Sequence, residues 1–246
     1  MEEAFSSPWL QRGWRLLNAV PPSISLIFKG ITYEIRISED SQGDERRARF
    51  DCGTPRPSKE RLMQEDRYSL PQRVLHWGIA GLVALALAAG ILFFVFGFSG
   101  LQDTFGGAVT NALYKYHKTA GVLVLGLMIL RVVLRLRLGA PPKLESLTPQ
   151  ERILSTAVQH LLYLALIALP VFGWLATAAG GFPVEFFNWT LPGLIGKDKA
   201  LSEILFTLHG LTALAVMLLL GLHIAGALRH WLIKRDGVMR RMSLFG

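Results

Sequence analysis

ILFTLHGLTALAVMLLLGLHIAGAL, residues 204–228, is a run of 25 residues without a single Asp, Glu, Lys or Arg. A helix needs about 20 mostly apolar residues to cross a bilayer, so this run predicts a transmembrane span. Two further uncharged runs, 74–102 and 153–184, are 29 and 32 residues long. A fourth segment, 116–136, is charged only near its ends, where long basic side chains can extend to the interface. The sequence therefore predicts an all-α membrane protein, a four-transmembrane-helix bundle.

Local signals set the expected helix ends. We predict spans at about 71–98, 110–137, 152–179 and 203–234. Ser69 and Thr148 are expected to be N-caps, and Pro71 suits a first helical turn. Pro141 and Pro142 predict a stop after the second helix.

The overall composition agrees with a membrane protein. Hydrophobic residues make up 51% of the 246 residues, charged residues only 18%, and the mean hydropathy is +0.37. These values exclude a disordered chain and argue against a water-soluble domain. Cys52 is the only cysteine, so neither an internal disulfide nor a thiolate metal site is available.

The chain changes character at about residue 66. Residues 1–66 hold 10 Lys and Arg against 11 Asp and Glu, whereas residues 67–246 hold 16 against 7. The first part lacks a signal-peptide pattern. We expect residues 1–66 to be a polar extension that is either disordered or a misassigned start, with Met63 as the alternative start. Within it, the alternation at 24–37 predicts a short hairpin.

Basic residues predict the orientation of the spans. One side carries twelve of them: Arg67, Arg73, Arg131, Arg135, Arg137, Lys143, Arg152, Arg229, Lys234, Arg235, Arg240 and Arg241. The other side carries four: Lys115, Lys118, Lys197 and Lys199. By the positive-inside rule, both termini and the loop at 138–152 are expected in the cytoplasm.

All six histidines fall in the predicted spans or at their ends: His76, His117, His160, His209, His223 and His230. Ionisable side chains are costly inside a bilayer, so each one is a candidate for function. His209 and His223 are 14 residues apart on the fourth helix, so they face the same way at depths about 21 Å apart. Counting along the other helices matches the depths in two pairs, His76 with His223 and His117 with His209.

Two opposed imidazoles at one depth can bind a haem iron from both faces of the porphyrin. Zinc would require three or four ligands at one level, and the apolar runs hold no carboxylate, so zinc and di-iron sites are disfavoured. Two such levels would make an electron path across the bilayer. Glycines near these histidines, such as Gly78, Gly210 and Gly221, permit the approach of either a flat macrocycle or another helix.

Four segments together resemble the bacterial cytochrome b561 family, which shares its fold with the b-type cytochrome subunits of nickel–iron hydrogenases. They are RYSLPQRVLHW (67–77), YHKTAGVLVLGLMILRVVLRL (116–136), QHLLYLALIALPVFGWL (159–175) and LHGLTALAVMLLLGLHIAGALRHWLIKRDGVMRRM (208–242). The resemblance covers about residues 67–242. It implies a bundle with two b haems, ligated by the same four histidines. It also implies respiratory electron transport in the bacterial inner membrane, and one member group passes electrons from superoxide to ubiquinone.

Each of the remaining polar residues allows two interpretations. Four of them are candidates for contacts to a quinone or a haem propionate: His160, His230, Arg131 and Arg229. Hydrogen bonding at the membrane interface is an equally good explanation for the two histidines. Anchoring by the positive-inside rule is an equally good explanation for the two arginines. Lys115 and Lys118 flank His117, where they either attract an anionic donor or serve only as interfacial charges.

The function expected from these features is electron transfer between a periplasmic donor, with superoxide as one candidate, and the quinone pool or a redox partner. The first alternative is a histidine-based transporter of protons or metal. The second is a haem-bearing membrane anchor for a separate redox enzyme. We expect lipid, quinone and a periplasmic donor as partners and no nucleic acid, and the sequence does not decide the oligomeric state.

Overall fold

The structure is a computed structural model that describes residues 23–28, 31–36, 67–142, 144 and 146–245. The chain divides into two units, Met1–Gln64 and Glu65–Gly246. The first unit contains strands β1 (Ser23–Phe28) and β2 (Ile31–Arg36), which pair antiparallel with Ser23 opposite Arg36. The predicted hairpin at 24–37 is therefore confirmed. The expectations for the rest of residues 1–66 lie outside the described residues.

The second unit is built on four long helices. They are α1 (Leu70–Phe105), α2 (Gly107–Leu138), α3 (Pro149–Ala179) and α4 (Lys199–Leu228). Each is long and apolar enough to cross a membrane, the last together with the π-helical turn Arg229–Lys234 that follows it. The predicted all-α architecture with four spans is confirmed.

The connection between α1 and α2 differs from the prediction. The predicted ends leave residues 99–109 outside the spans, but helical structure continues to Phe105 and resumes at Gly107. Two glycines make the change of direction: Gly97 has φ 65° and Gly106 has φ 81°. These backbone angles suit glycine because it has no Cβ. The turn is thus made at single residues, which needs no long loop.

Capping residues fix the starts of the helices as predicted. Ser69 is the N-cap of α1, and the Gln72 side chain accepts a hydrogen bond from its backbone N–H at 3.2 Å. Thr148 is the N-cap of α3, where its hydroxyl accepts from the Glu151 N–H at 3.3 Å. Such reciprocal bonds satisfy amides that have no partner within the helix.

The helices do not pack evenly around the bundle. Helix α4 packs closely on α3, α1 packs on α2, and α2 also packs on α3. The contacts of α4 with α1 and α2 are much sparser. One apolar core cluster draws residues from all four helices: Ile79, Val83, Val124, Met128, Leu166 and Val216. Helix α4 is therefore spaced more widely from α1 and α2 than from α3.

Short structures cover the two ends of the bundle. Strands β3 (Val184–Phe186) and β4 (Trp189–Leu191) form an antiparallel hairpin between α3 and α4. At the other end, the segment after residue 234 includes the 3-10 turn Met239–Arg241. It folds back to the start of α1, where the Tyr68 N–H donates to the Arg241 carbonyl at 3.2 Å.

Candidate functional site

Four of the six histidines meet in two pairs, one towards each end of the bundle. His76 of α1 faces His223 of α4, and their ring centroids are 6.2 Å apart. His117 of α2 faces His209 of α4 at the same centroid separation of 6.2 Å. In both pairs the ring planes are close to perpendicular, at 74° and 75°. The structure thus brings together the residues that the sequence had matched by depth.

The orientation of His209 is set by a neighbouring helix. Its Nδ1 lies 2.9 Å from the Leu169 carbonyl oxygen of α3. A carbonyl oxygen can only accept, so Nδ1 carries the hydrogen and Nε2 keeps its lone pair. Donating one ring N–H to a backbone carbonyl is the usual arrangement for a metal-binding histidine. This bond therefore leaves Nε2 of His209 available to bind a metal ion.

Two glycines leave room for the rings of this pair. A Cβ atom added to Gly173 would lie 2.9 Å from Nδ1 and Cε1 of His209. A Cβ atom at Gly90 would lie 3.8 Å from Cε1 of His117, which is ordinary contact. Of these two positions, only 173 must be glycine for lack of space, because real Cβ atoms do not approach other atoms as closely as 2.9 Å. The sequence reasoning missed both residues, and it also missed the Leu169 carbonyl.

The spacing within each pair fits one metal ion between two imidazoles. Two metal–nitrogen bonds of about 2 Å, together with the inner half of each ring, place the centroids about 6 Å apart. In the described part of the chain, no three His, Cys, Asp or Glu side chains come together as a metal site. His117 Nδ1 is buried without a hydrogen-bond partner of normal geometry in the protein. Two nitrogen ligands per level suit a haem iron better than zinc.

The apolar core cluster separates the two pairs. Val216, fully buried, lies seven residues from each of His209 and His223 on α4. At about 1.5 Å per residue the two levels are about 21 Å apart along that helix. Each level is therefore close to one end of the bundle, with a layer of buried apolar side chains between them.

Arg131 stands near the His76–His223 level but already has protein partners. Its Nε donates to the Tyr163 hydroxyl at 3.0 Å, and its guanidinium carbon lies 5.6 Å from the centre of that ring. A second nitrogen donates to the Gln72 carbonyl at 3.5 Å. These bonds hold a positive charge inside the bundle, and a contact from Arg131 to a haem propionate stays a prediction.

The other three candidates lie apart from the histidine pairs. His160 is exposed on α3, and its Nδ1 donates to the Thr156 carbonyl of its own helix at 2.7 Å. Arg229 forms an ion pair with Glu151, which also pairs with Lys234 at 2.6 Å. His230 Nδ1 lies 2.7 Å from the Asp236 carboxylate. Their predicted contacts to quinone or propionate remain predictions.

At the opposite end, the two lysines beside His117 are engaged by the β3–β4 hairpin. Lys118 forms an ion pair with Glu185 and donates to the Pro183 carbonyl at 3.0 Å. Lys115 donates to the Asn188 side chain at 3.1 Å. The charge of Lys118 is thus partly compensated, which weakens the idea that it attracts an anionic donor.

Comparisons with known proteins agree on one family. The family model for prokaryotic cytochrome b561 matches residues 67–243. A protein of Escherichia coli K12 named cytochrome b561 homolog 2 is 28% identical over 178 residues, which are 72% of this chain and 91% of that protein. Cytochrome b562 of Cereibacter sphaeroides is 30% identical over 186 residues, 74% of this chain and 98% of its own length. A Yersinia pestis protein named probable superoxide oxidase CybB is 26% identical over 176 residues, 72% and 95% respectively.

Proposed function

This chain belongs to the prokaryotic cytochrome b561 family, and from that premise we propose that it carries electrons across the membrane between an outer one-electron donor and a quinone. The family membership makes the chain a multi-pass bacterial membrane protein and a b-type cytochrome of membrane electron transfer. Haem iron supplies the redox chemistry, because it takes up and releases one electron at a time. The number of haems, the donor, the acceptor and the orientation are our proposals.

The proposal assigns two haems, one to each histidine pair. His76 and His223 would hold one, and His117 and His209 the other. This assignment rests on the matching geometry of the two pairs, which have the same centroid separation. Both pairs also use α4, the helix that makes few contacts with α1 and α2.

The protein's own residues prepare the two centres in several ways. The Leu169 carbonyl holds His209 in the tautomer whose Nε2 lone pair is free. Gly173 gives that imidazole its space beside α3. The core cluster around Val216 keeps water out between the levels, and low polarity around a redox group helps to set its potential.

The proposed overall reaction balances with superoxide as donor. Two superoxide ions give up one electron each and leave as dioxygen, while one quinone takes both electrons and two protons to become a quinol. The printed name of the Yersinia pestis relative makes superoxide the first donor to test. The twelve basic residues at the His76–His223 end support placing that end, with the chain's carboxyl terminus, in the cytoplasm.

Haem counting tests the ligand assignment. The purified full chain should contain two haems per chain and give b-type bands in a reduced-minus-oxidised spectrum. His209→Ala and His76→Ala should each lose about one haem and keep the other, because each removes one ligand of one pair. His160→Ala is the matched control, since His160 is exposed and bonded to its own helix, and it should keep both haems.

Other outcomes would contradict the proposal. A colourless preparation from haem-replete cells would favour the transporter alternative. Unchanged haem content in both histidine variants would refute the ligand assignment.

Rapid mixing tests the donor and acceptor. Superoxide should reduce the oxidised protein within the mixing experiment, and added ubiquinone should reoxidise it. Reduction by a quinol alone, with no response to superoxide, would reverse the proposed direction of electron flow.

A further inference from the structure

A cavity of about 730 Å³ lies at the end of the bundle that holds His76 and His223. It is partly open to the outside and lies between the start of α1, the end of α4 and the C-terminal segment 235–245. Its walls are aromatic, apolar and basic, and include Trp77, Trp231, Arg235, Arg240, Leu244 and Phe245. Neither of the two histidine pairs lines it, but the ring of Trp77 packs on His76 with the centroids 5.3 Å apart, so the cavity adjoins that pair. His230, a candidate for a quinone or propionate contact, also lines it.

Within the described residues, the positive charge around this cavity is not balanced by carboxylates. Arg235 and Arg240 have no carboxylate partner in the described part of the chain. The acidic groups described nearby are already engaged, since Asp236 is bonded by His230 and Glu151 pairs with Arg229 and Lys234. Among the described residues, the guanidinium groups of Arg235 and Arg240 therefore line the cavity without a compensating carboxylate.

Two further arginines stand behind the cavity wall. Arg67 and Arg73 both donate to the carbonyl oxygen of Ser243, a lining residue, at 2.8 and 2.7 Å. These bonds satisfy hydrogen-bond donors but cancel no charge. Burial lowers the pKa of Arg67, and the nearby charges of Arg73 and Arg240 lower it further. This crowding of like charges is relieved when an anion is present.

We propose that this cavity binds the phosphate headgroup of an anionic phospholipid. Guanidinium groups match phosphate oxygens in both charge and geometry. The two tryptophans are typical of the membrane interface, and Leu244 and Phe245 offer an apolar surface for the glycerol and the upper acyl chain. Basic pockets at the cytoplasmic ends of transmembrane helices are known to suit anionic lipids. A neutral quinone head would leave the arginine charges unbalanced, which favours the lipid.

Native mass spectrometry of the full haem-loaded chain tests this site. The protein is titrated with phosphatidylglycerol and, separately, with phosphatidylcholine of the same acyl chains. We expect phosphatidylglycerol to bind about tenfold more tightly, and Arg240→Gln to remove most of that preference, because a charge-assisted hydrogen bond is lost. Arg137→Gln is the matched control, since Arg137 is an exposed arginine near the same end that does not line the cavity.

Several results would overturn the proposal. Equal losses in the Arg240 and Arg137 variants would mean only general attraction to the membrane surface. Displacement of the lipid by inorganic phosphate at similar concentration would indicate a site for a free anion, and displacement by a short-chain ubiquinone would indicate a quinone site. If Arg240→Gln lowered the haem content and left lipid binding unchanged, the arginine would serve a haem propionate instead.

Discussion

His209 shows how the orientation of one side chain depends on residues of a neighbouring helix. Its place on α4 follows from the sequence, but its ring orientation depends on α3, 40 residues earlier in the chain. There the Leu169 carbonyl accepts from Nδ1, and Gly173, four residues further on the same helix, provides the space. The spacing of four places both on one helix face. Helix α3, which supplies no ring to either histidine pair, thus helps to position the His117–His209 pair.

Gly173→Ala tests this contribution. The new Cβ would lie 2.9 Å from the His209 ring, so either the ring or α3 must move. We expect the variant to lose most of one haem and keep the other, measured as haem per chain and as loss of one component in a redox titration.

Gly126→Ala provides the control for this variant. A Cβ at Gly126 would meet nothing within 4 Å, so the same change in a spanning helix should leave both haems in place. Full haem content in the Gly173 variant would show that the close packing against His209 is not needed for binding.

The β3–β4 hairpin acts as an element that is tied to the helix of His117. The Thr119 hydroxyl, two residues after His117, donates to the Lys115 carbonyl and accepts from the Phe187 N–H at 3.1 Å. Thr119 is only 3% exposed, so solvent cannot easily replace it. The hairpin is therefore held at the His117 end of α2 by a buried hydroxyl as well as by the ion pair of Lys118 with Glu185.

Thr119→Val should loosen the hairpin without changing the shape of the site. Valine cannot accept the Phe187 N–H, and a lost hydrogen bond of this kind costs about 1 kcal/mol. We expect the amides of residues 184–191 to exchange hydrogen about fivefold faster, as measured by mass spectrometry. Thr119→Ser keeps the hydroxyl and should exchange at the original rate, and equal exchange in all three proteins would contradict the role of this bond.

The C-terminal segment is a second element held by polar contacts. The Trp77 indole N–H donates to the Met242 carbonyl at 2.8 Å, and Asp236 receives hydrogen bonds from His230 and from the Val238 amide. Burial alone raises the pKa of Asp236, but these bonds and the charge of Lys234 outweigh it, so the pKa lies below its usual value. The folded segment therefore favours the ionised carboxylate.

This depressed pKa predicts how the segment responds to acid. Its stabilising effect is fully present above the unfolded pKa of about 3.9 and is lost as the pH falls through the lower folded value. We expect segment 235–245 to stay protected from hydrogen exchange down to about pH 4, after correction for the intrinsic rate, and to open below it. Asp236→Asn should weaken protection at neutral pH already, whereas the exposed Asp103→Asn should not; identical profiles for the two variants would refute the prediction.

At the scale of the whole molecule, the chain separates into a small N-terminal unit and the helix bundle. The units divide between Gln64 and Glu65, and the match to the family model starts at residue 67. Every residue of the two histidine pairs, together with Leu169 and Gly173, belongs to the second unit. We infer that the bundle contains all that is needed to bind haem.

Deletion of residues 1–64 tests this inference. The shortened protein should insert in the membrane and keep the haem content, the spectrum and the melting temperature of the full chain, because none of the described site residues is removed. A fall in haem per chain, at equal expression, would assign a structural role to the N-terminal unit.

The sequence by itself determined the number of spans, their approximate limits, the caps at Ser69 and Thr148, and the pairing of histidines by depth. These features depend on local quantities, namely the length of apolar runs, the rise per residue of a helix and the chemistry of helix ends. A count of residues along one helix is enough to place a histidine at its level in the bilayer.

Only the tertiary structure decided how the helices are arranged around those levels. The helix packing leaves α4 more widely spaced from α1 and α2 than from α3. It also places Leu169 and Gly173 next to His209, and Arg131 next to Tyr163. It also returned the C-terminal segment to the start of α1, 170 residues away between Arg73 and Ser243. Such contacts depend on which helix faces pack together, and apolar faces of similar composition do not encode that choice in any single stretch of sequence.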